Sequence, residues 1–214
     1  MLRKGGRNLI KKYLLSENKN LKLSKNFKLA EFACADKNDE VFVSEELVKI
    51  LQNVRDHFGK AVVITSAYRT LSHNKKVGGA SGSRHLTGEA ADFTIKGISP
   101  AKIGYYLEGL SASGIGVYVS RGFVHVDVRE NGKWRGLIFD GKDGKEENLA
   151  KYFPTVRVGS KGNSVKLLQM LLKIDADGIF GKKTKEAVEK YQKGNDLGVD
   201  GIVGPLTWKS LLDT

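Results

Sequence analysis

Hydrophobic residues recur at helical spacing early in the chain. Apolar side chains three or four positions apart fall at Leu47, Ile50, Leu51 and Val54. This spacing places them on one face of a helix. Ser44 stands just before them, and serine is a preferred cap for the first turn of a helix. The pattern predicts an amphipathic helix after Ser44, and the β-branched run at residues 61–65 predicts a short buried strand.

The next part of the chain mixes short strands, a loop and one further helix. Glycine and serine dominate residues 76–87, which predicts a loop. Ser99 followed by Pro100 is typical of a helix start, and the helix is expected to reach Leu110. Three strands are predicted, the last two forming a hairpin, at residues 91–95, 115–119 and 123–128. Because strands and helices do not alternate regularly, the pattern favours an α+β fold with a small antiparallel sheet and flanking helices.

The last third of the chain contains an internal repeat. Asp177-Gly178-Ile179-Phe180-Gly181 is matched 23 residues later by Asp200-Gly201-Ile202-Val203-Gly204, and a threonine follows each copy three positions on. Asp-Gly favours a turn, and a helix is expected to begin just past the second glycine of each copy. Together with a helix predicted over residues 164–173, the repeat indicates a small three-helix module.

Two domains are expected from the length of 214 residues and from the change in pattern. Residues 140–148 are charged and contain glycine but no apolar side chain, which is typical of a linker. The expected division is a basic arm at residues 1–26, a first domain at 27–139, a linker at 140–155 and the helical module at 156–214.

Composition narrows the kinds of site that the chain can carry. Hydrophobic residues make up 40% and charged residues 28%, which is typical of a folded protein. The single cysteine, Cys34, excludes an intramolecular disulfide framework and a cysteine-rich zinc finger. No apolar run is long enough to cross a bilayer, and the first 18 residues lack the apolar core of a secretory signal. We therefore expect synthesis in the cytoplasm without a signal peptide.

The net charge of +12 is concentrated at the N-terminus. The first 28 residues hold nine lysines and arginines against one acid, Glu17, a net charge of +8. This arm would attract anionic wall polymers, an anionic membrane or nucleic acid, although a solvated leader explains it equally well. Apolar residues from Leu9 to Leu15 interleave with the charges and suggest a short amphipathic helix on a membrane. No nucleic-acid recognition motif accompanies the arm, so nucleic acid is not an expected partner.

Histidines and carboxylates in the first domain have the composition of a catalytic zinc site. Such a site uses three protein ligands and leaves one position for water. His85, Asp92 and His125 can supply the three ligands. On the strand at 123–128, side chains alternate, so His125 and Asp127 share one face while valines occupy the other. His57 and His73, on a helix and near a turn, are expected to be ordinary structural histidines.

Two motifs around these ligands resemble a known family. Five residues fit Ser-x-His-x-x-Gly-x-Ala-x-Asp, namely Ser83, His85, Gly88, Ala90 and Asp92. Phe-Val-His-Val-Asp follows at 123–127. The chain from 27 to 128 resembles the zinc D-alanyl-D-alanine carboxypeptidases and L-alanyl-D-glutamate endopeptidases of cell-wall metabolism, which share a fold with the hedgehog signalling domain. The resemblance implies a hedgehog-like zinc peptidase domain with His85, Asp92 and His125 on zinc.

The same resemblance suggests substrate contacts. Ser66-Ala67-Tyr68-Arg69 is similar to the family's Ser-Gly-Tyr-Arg. Substrate contacts are therefore expected at Tyr68, Arg69 and Ser83. Arg69 would hold a substrate carboxylate or the developing oxyanion, for which its forked donors are suited.

One departure from the family pattern concerns the general base. Many relatives carry an acid or a histidine two or three residues before the last ligand, where this chain has Phe123 and Gly122. Asp127 is the nearest acidic candidate. It would either accept the proton of the zinc-bound water or orient His125 from behind. The sequence is compatible with both roles.

The C-terminal module resembles the peptidoglycan-binding type 1 domain, through its Asp-Gly turns and the Val-x-x-Leu-Gln at 165–169. The two resemblances together imply a zinc peptidase that cuts bacterial peptidoglycan, and a monomer is expected. The missing signal peptide favours a phage or prophage endolysin that is released from the cytoplasm, and the alternative is a cytoplasmic bacterial enzyme acting on recycled wall fragments. The bond would be an L-alanyl-D-glutamate or a D-alanyl bond. The alternative is a non-catalytic wall-binding protein with a structural zinc site.

Overall fold

The computed structural model describes residues 9–110, 112–129, 134–138 and 153–213. It divides into two compact units, Met1–Glu146 and Glu147–Thr214. Across the described ranges, every helix is too short or too polar to span a bilayer.

A five-stranded sheet forms the centre of the first unit. Its strands are β3 (Val62–Ser66), β4 (Ala90–Ile95), β5 (Gly114–Tyr118), β6 (Phe123–Asp127) and β7 (Trp134–Ile138). They lie in the order β3, β4, β6, β5 and β7. All neighbours are antiparallel except β5 and β7, which are parallel. The expected small antiparallel sheet is therefore confirmed, with one parallel strand at its edge.

Two helices pack beside this sheet. Helix α2 (Glu45–Phe58) begins at Ser44, whose hydroxyl accepts a hydrogen bond from the amide of Leu47. Helix α4 (Pro100–Glu108) begins in the same way at Ser99. Both helix starts agree with the sequence prediction. Serine favours a helix start because its hydroxyl accepts a hydrogen bond from an amide that has no partner within the helix.

The loop predicted over residues 76–87 is only partly correct. Helix α3 (Leu71–Lys76), which is capped by Thr70, extends to the first residue of this segment. The last four residues of the segment, Arg84–Thr87, form a short 3-10 helix. Gly88 ends this helix with a left-handed φ of +73°. A side chain here would also collide with the backbone oxygen of Phe42, 2.1 Å from an added Cβ, so glycine is required.

The prediction of an amphipathic membrane helix near the N-terminus is wrong for the described residues. Ile10–Leu14 forms β1, which pairs antiparallel with β2 (Glu40–Ser44). The following helix, α1 (Leu15–Asn18), is a single turn. Lys11 and Lys12 of β1 form ion pairs with Glu45 and Glu40. Pairing with a distant strand overrides the local helical tendency, and part of the arm's charge is neutralised within the fold.

The second unit is the expected three-helix module. Its helices are α5 (Asn163–Leu171), α6 (Lys182–Gly194) and α7 (Pro205–Asp213). A core shared by both repeats contains Val156, Val165, Leu168, Phe180, Val188, Val203, Trp208 and Leu211. Helices α6 and α7 each begin directly after the second glycine of a repeat, as predicted.

Candidate metal centre

Two of the three candidate ligands lie side by side on neighbouring strands. Asp92 of β4 is the direct register partner of His125 of β6. Direct partners in a sheet project from the same face, so the carboxylate and the imidazole meet above the sheet. Asp92 Oδ1 lies 2.8 Å from Nδ1 of His125.

The third candidate ligand, His85, lies on the 3-10 helix Arg84–Thr87. His85 is 3% exposed, and its Nδ1 lies 2.6 Å from the backbone oxygen of Ala67. An imidazole nitrogen facing a carbonyl oxygen must carry its proton, which leaves Nε2 as the free lone pair. Nε2 lies 3.3 Å both from Asp92 Oδ1 and from Nδ1 of His125.

These three side chains form a compact donor set. One nitrogen or oxygen atom from each of His85, Asp92 and His125 lies within 4.8 Å of the others. Two imidazole nitrogens and one carboxylate oxygen are a usual ligand set for zinc. The remaining nitrogen of each imidazole is engaged elsewhere, which fixes the ring orientation as ligand histidines require. The residues therefore fit a zinc ion.

The charges of this cluster are strongly coupled. Burial alone would raise the pKa of Asp92, but hydrogen bonds to His125 and His85 hold it well below its usual range. Burial alone would lower the pKa of His125, but its contacts with Asp127 and Asp92 raise it to about 9. The pocket is thus arranged to hold positive charge between carboxylates, which is also what a divalent cation requires.

Asp127 lies behind His125 and is completely buried. Its Oδ2 faces Nε2 of His125 at 3.3 Å. Arg129 holds the same carboxylate with its backbone amide at 3.2 Å, with Nε at 2.8 Å, and with a terminal guanidinium nitrogen. Burial alone would raise the pKa of Asp127, but Arg129 and His125 bring it below its usual value.

Gly114 makes room for this buried carboxylate. It is the register partner of Asp127 on β5. A Cβ at position 114 would lie 1.9 Å from Asp127 Oδ2. A distance under 3 Å to a heavy atom is a collision, so a side chain here would displace Asp127.

Arg69 lies on the opposite side of the cluster. One terminal guanidinium nitrogen binds Asp92 Oδ2 at 2.6 Å, and Nε donates to the hydroxyl of Ser66 at 2.8 Å. Within the described part of the chain, the other terminal nitrogen makes no hydrogen bond. Arg69 thus orients a candidate ligand and keeps donors for a bound molecule.

The other two residues predicted to contact substrate lie differently. The ring of Tyr68 packs against Phe42 at a centroid distance of 5.3 Å. Burial raises the pKa of its hydroxyl, and the acids that add to this effect are Glu40 and Asp36 rather than Asp92. Ser83 precedes the 3-10 helix, and its backbone oxygen accepts a hydrogen bond from the amide of Leu86. Among the described residues, neither side chain forms a hydrogen bond with His85, Asp92 or His125.

Sequence reasoning missed Tyr118, which lies on the same face of the sheet as His125. It is the register partner of Phe123 and stacks on that ring at 4.2 Å. Burial raises the pKa of Tyr118, and the charge of Asp92 adds to this effect. The hydroxyl has no hydrogen-bond partner among the described residues. The predicted hairpin could have suggested it, because a short turn after residue 119 brings Tyr118 opposite Phe123.

Arg129 was also missed, although its position gave a local signal. Side chains alternate along a strand, so Arg129 falls on the face of Asp127 and His125. An arginine next to a buried carboxylate on such a face is the expected counter-charge.

Two protein families match parts of this chain. The family described as peptidase M15 matches residues 25–127, and the family described as a peptidoglycan binding domain matches residues 161–211. The peptidoglycan L,D-endopeptidase MepK of Escherichia coli is 34% identical over 80 residues, 35% of this chain and 44% of the relative. The zinc D-Ala-D-Ala carboxypeptidase of Streptomyces albus G is 35% identical over 65 residues, 27% of this chain and 26% of the relative.

An uncharacterised protein of Kitasatospora aureofaciens is 45% identical over 65 residues, 27% of this chain and 55% of the relative. The chain thus spans about half, or less, of the length of these curated relatives. Among solved structures, a Burkholderia AP3 phage endolysin is 40% identical, with 27% of this chain and 24% of that chain covered and a TM-score of 0.26. The protein therefore combines a peptidase M15 domain at residues 25–127 with a C-terminal peptidoglycan binding domain at residues 161–211.

Proposed function

We propose that this chain is an endolysin-type, zinc-dependent peptidase of bacterial peptidoglycan. It hydrolyses an amide bond of the stem peptide or cross-bridge, at an L-alanyl-D-glutamate or a D-alanyl bond. The observation that carries the proposal is the meeting of His85, Asp92 and His125 within 4.8 Å in a domain of the M15 family. The second domain binds the same polymer and keeps the peptidase at its insoluble substrate.

His85 Nε2, Asp92 Oδ1 and His125 Nδ1 are the atoms that would hold the zinc ion. When bound, the ion supplies Lewis acidity and lowers the pKa of its water to about 7. The protein contributes the rigidity of the site, because Ala67, Arg69 and Asp127 hold the outer atoms of the three ligands.

Of the two roles open for Asp127, we infer that it positions His125. A general base works best when its pKa lies near the operating pH. The pKa of Asp127 is instead held low by Arg129 and His125, and the carboxylate is fully buried. A carboxylate in this position fixes the ring and strengthens its lone pair.

Two further side chains face the reacting group in this proposal. Arg69 has a terminal nitrogen left for a substrate carboxylate or the developing oxyanion. Tyr118 is protonated at neutral pH, as tyrosines ordinarily are, and burial raises its pKa further, so its hydroxyl can donate a hydrogen bond to the substrate. Charge stabilisation by such donors is a large part of catalysis in amide hydrolysis.

The basic arm adds an attraction to anionic wall polymers. Three of its described lysines are exposed and have no ion pair among the described residues, namely Lys19, Lys22 and Lys25. Positive charge of this kind accelerates encounter with a polyanion and weakens with salt.

The proposal is tested by incubating the full chain with purified peptidoglycan and zinc. New amino groups should appear, and mass spectrometry of the soluble fragments should identify the bond that has been cut. A chain that has been stripped by a chelator should be inactive until zinc is restored. Firm binding to the wall without any new amino groups would contradict the peptidase and favour the non-catalytic alternative.

A further inference from the structure

The two repeats of the second unit have the same internal frame. In the first, Gln169 Nε2 donates to Asp177 Oδ1 at 2.7 Å and to the hydroxyl of Thr184 at 3.0 Å. In the second, Gln192 makes the equivalent bonds to Asp200 at 2.8 Å and Thr207 at 3.3 Å. These side chains therefore build the fold in both copies, and the shared frame does not itself select a ligand.

The rims of the two repeats are different. The first two residues of the helix after each turn are Lys182 and Lys183 in one copy but Pro205 and Leu206 in the other. Leu206 is 75% exposed, the most exposed of the large apolar side chains in the described part of the chain. Exposing this much apolar surface costs free energy, and a ligand that covers it recovers part of that cost.

The aspartates of the two repeats also differ in their surroundings. Backbone hydrogen bonds from Ile179 and Ile202 lower the pKa of Asp177 and Asp200, respectively, and Lys183 adds to the effect at Asp177. No cation contributes at Asp200. Asp200 Oδ1 accepts from Gln192 and from the amide of Ile202, while Oδ2 has no partner among the described residues. Asp177 Oδ2 is likewise unbonded among the described residues, so the two aspartates differ in the cation beside Asp177 and not in their hydrogen bonds.

A cavity of about 230 Å³ lies at this rim. Its apolar lining comes from Leu197, Ile202, Pro205 and Leu206, and its polar lining includes Asp200 and Gln192. The polar atoms of Gln192 are already bonded within the frame, to Asp200, Thr207 and backbone groups. The cavity therefore combines an apolar surface with the unbonded Oδ2 of Asp200, and small-ligand sites commonly combine apolar walls with a few polar groups.

We propose that this cavity is the contact point for peptidoglycan and that it binds an amide N–H next to a methyl group. The N–H donates to Asp200 Oδ2, and the methyl group packs against Leu206 and Ile202. Peptidoglycan presents this chemistry in two places, the acetamido groups of its sugars and the alanyl amides of its stem peptides. The inference rests on the proposed wall binding by the second unit and adds the site and the chemical group.

The first test removes the apolar rim. Leu206→Gln keeps the size of an exposed side chain but removes its apolar character, so the fold should be retained. Val199→Gln is the matched control, because Val199 is 55% exposed in the same unit and does not line the cavity. Binding of the full chain to insoluble peptidoglycan is measured by sedimentation, together with thermal unfolding and hydrolysis of a soluble stem peptide.

The expected result is that Leu206→Gln weakens wall binding about tenfold, whereas Val199→Gln leaves it unchanged. Both variants should unfold as the original chain does and hydrolyse the soluble peptide equally well. Equal loss in the two variants, or none in Leu206→Gln, overturns the assignment of the cavity. Failure of the original chain to bind the wall would instead overturn the wall-binding function itself. Failure of the original chain to cut the soluble peptide would contradict the proposed peptidase activity and not the assignment of the cavity.

The second test identifies the source of the amide. The isotope-labelled full chain is titrated with peptide-free glycan strands and, separately, with a soluble stem peptide. Shifts of the amide signals of Ile202 and Leu206 with the glycan assign the site to acetamido groups, and shifts with the peptide assign it to alanyl amides. If neither ligand shifts them, the proposed ligand chemistry is wrong.

Discussion

The carboxylate of Asp127 lies 3.3 Å from Nε2 of His125, at the edge of the ring opposite the nitrogen that faces Asp92. The imidazole is therefore held from behind while its other nitrogen points into the cluster. Arg129 and the space provided by Gly114 keep the carboxylate in that place. The relationship favours a positioning role, and that role can be separated experimentally from a role as general base.

Asp127→Asn tests the positioning role through metal affinity. The amide keeps an oxygen near His125 but loses the charge, so zinc affinity should fall about 10- to 100-fold. Titration against a competing chelator measures this loss. Asp175→Asn, an exposed aspartate of the second unit, is the control and should leave affinity unchanged. Full zinc affinity in Asp127→Asn combined with lost hydrolysis would identify Asp127 as the base instead.

Gly114→Ala tests the steric relationship with the same carboxylate. The added Cβ would lie 1.9 Å from Asp127 Oδ2 and must push it from its site. We expect a loss of about 1–3 kcal/mol in the free energy of unfolding, with weaker zinc binding. Gly109→Ala serves for comparison, since its Cβ would lie 3.5 Å from the backbone oxygen of Tyr106, which is an ordinary van der Waals distance. Equal stability of the two variants in thermal unfolding would contradict the packing described.

Local signals in the sequence predicted the parts of the fold that depend on neighbouring residues. The helix after Ser44 follows from its cap and from the apolar spacing that ends near Val54. Residues 10–14 show the limit of this reasoning. Their apolar and basic residues suit either a helix or a strand, and only the pairing of β1 with β2 decides for the strand.

The same limit applies to the metal centre. His85, Asp92 and His125 were predicted from the motif that contains them, and the structure brings their ligand atoms together. The groups that hold them were not predicted, because Ala67 and Gly114 reach the site through strand register and tertiary contacts. Sequence spacing alone does not specify which distant backbone groups will meet a given side chain.

Tyr118→Phe tests whether the hydroxyl beside the cluster contacts the substrate. The ring can still stack on Phe123, so the fold and the zinc content should be unchanged. Loss of a donor to developing charge should lower kcat tenfold or more, with less effect on KM. Tyr106→Phe is the matched control, because its hydroxyl bonds to the backbone oxygen of Asn53 on α2. An unchanged kcat in Tyr118→Phe would exclude the proposed contact.

Hydrolysis by this protein is expected to depend on a metal held by His85, Asp92 and His125. The most direct measurement determines zinc content and release of amino groups from peptidoglycan on the same samples of the original chain, His125→Ala and His73→Ala. Zinc should be bound at one ion per chain and be lost together with hydrolysis in His125→Ala, because a three-ligand site loses most of its affinity with one ligand. His73 lies on α3 and is not a candidate ligand, so His73→Ala should keep both its zinc and its hydrolytic activity. Undiminished hydrolysis by a zinc-free His125→Ala chain would contradict the account.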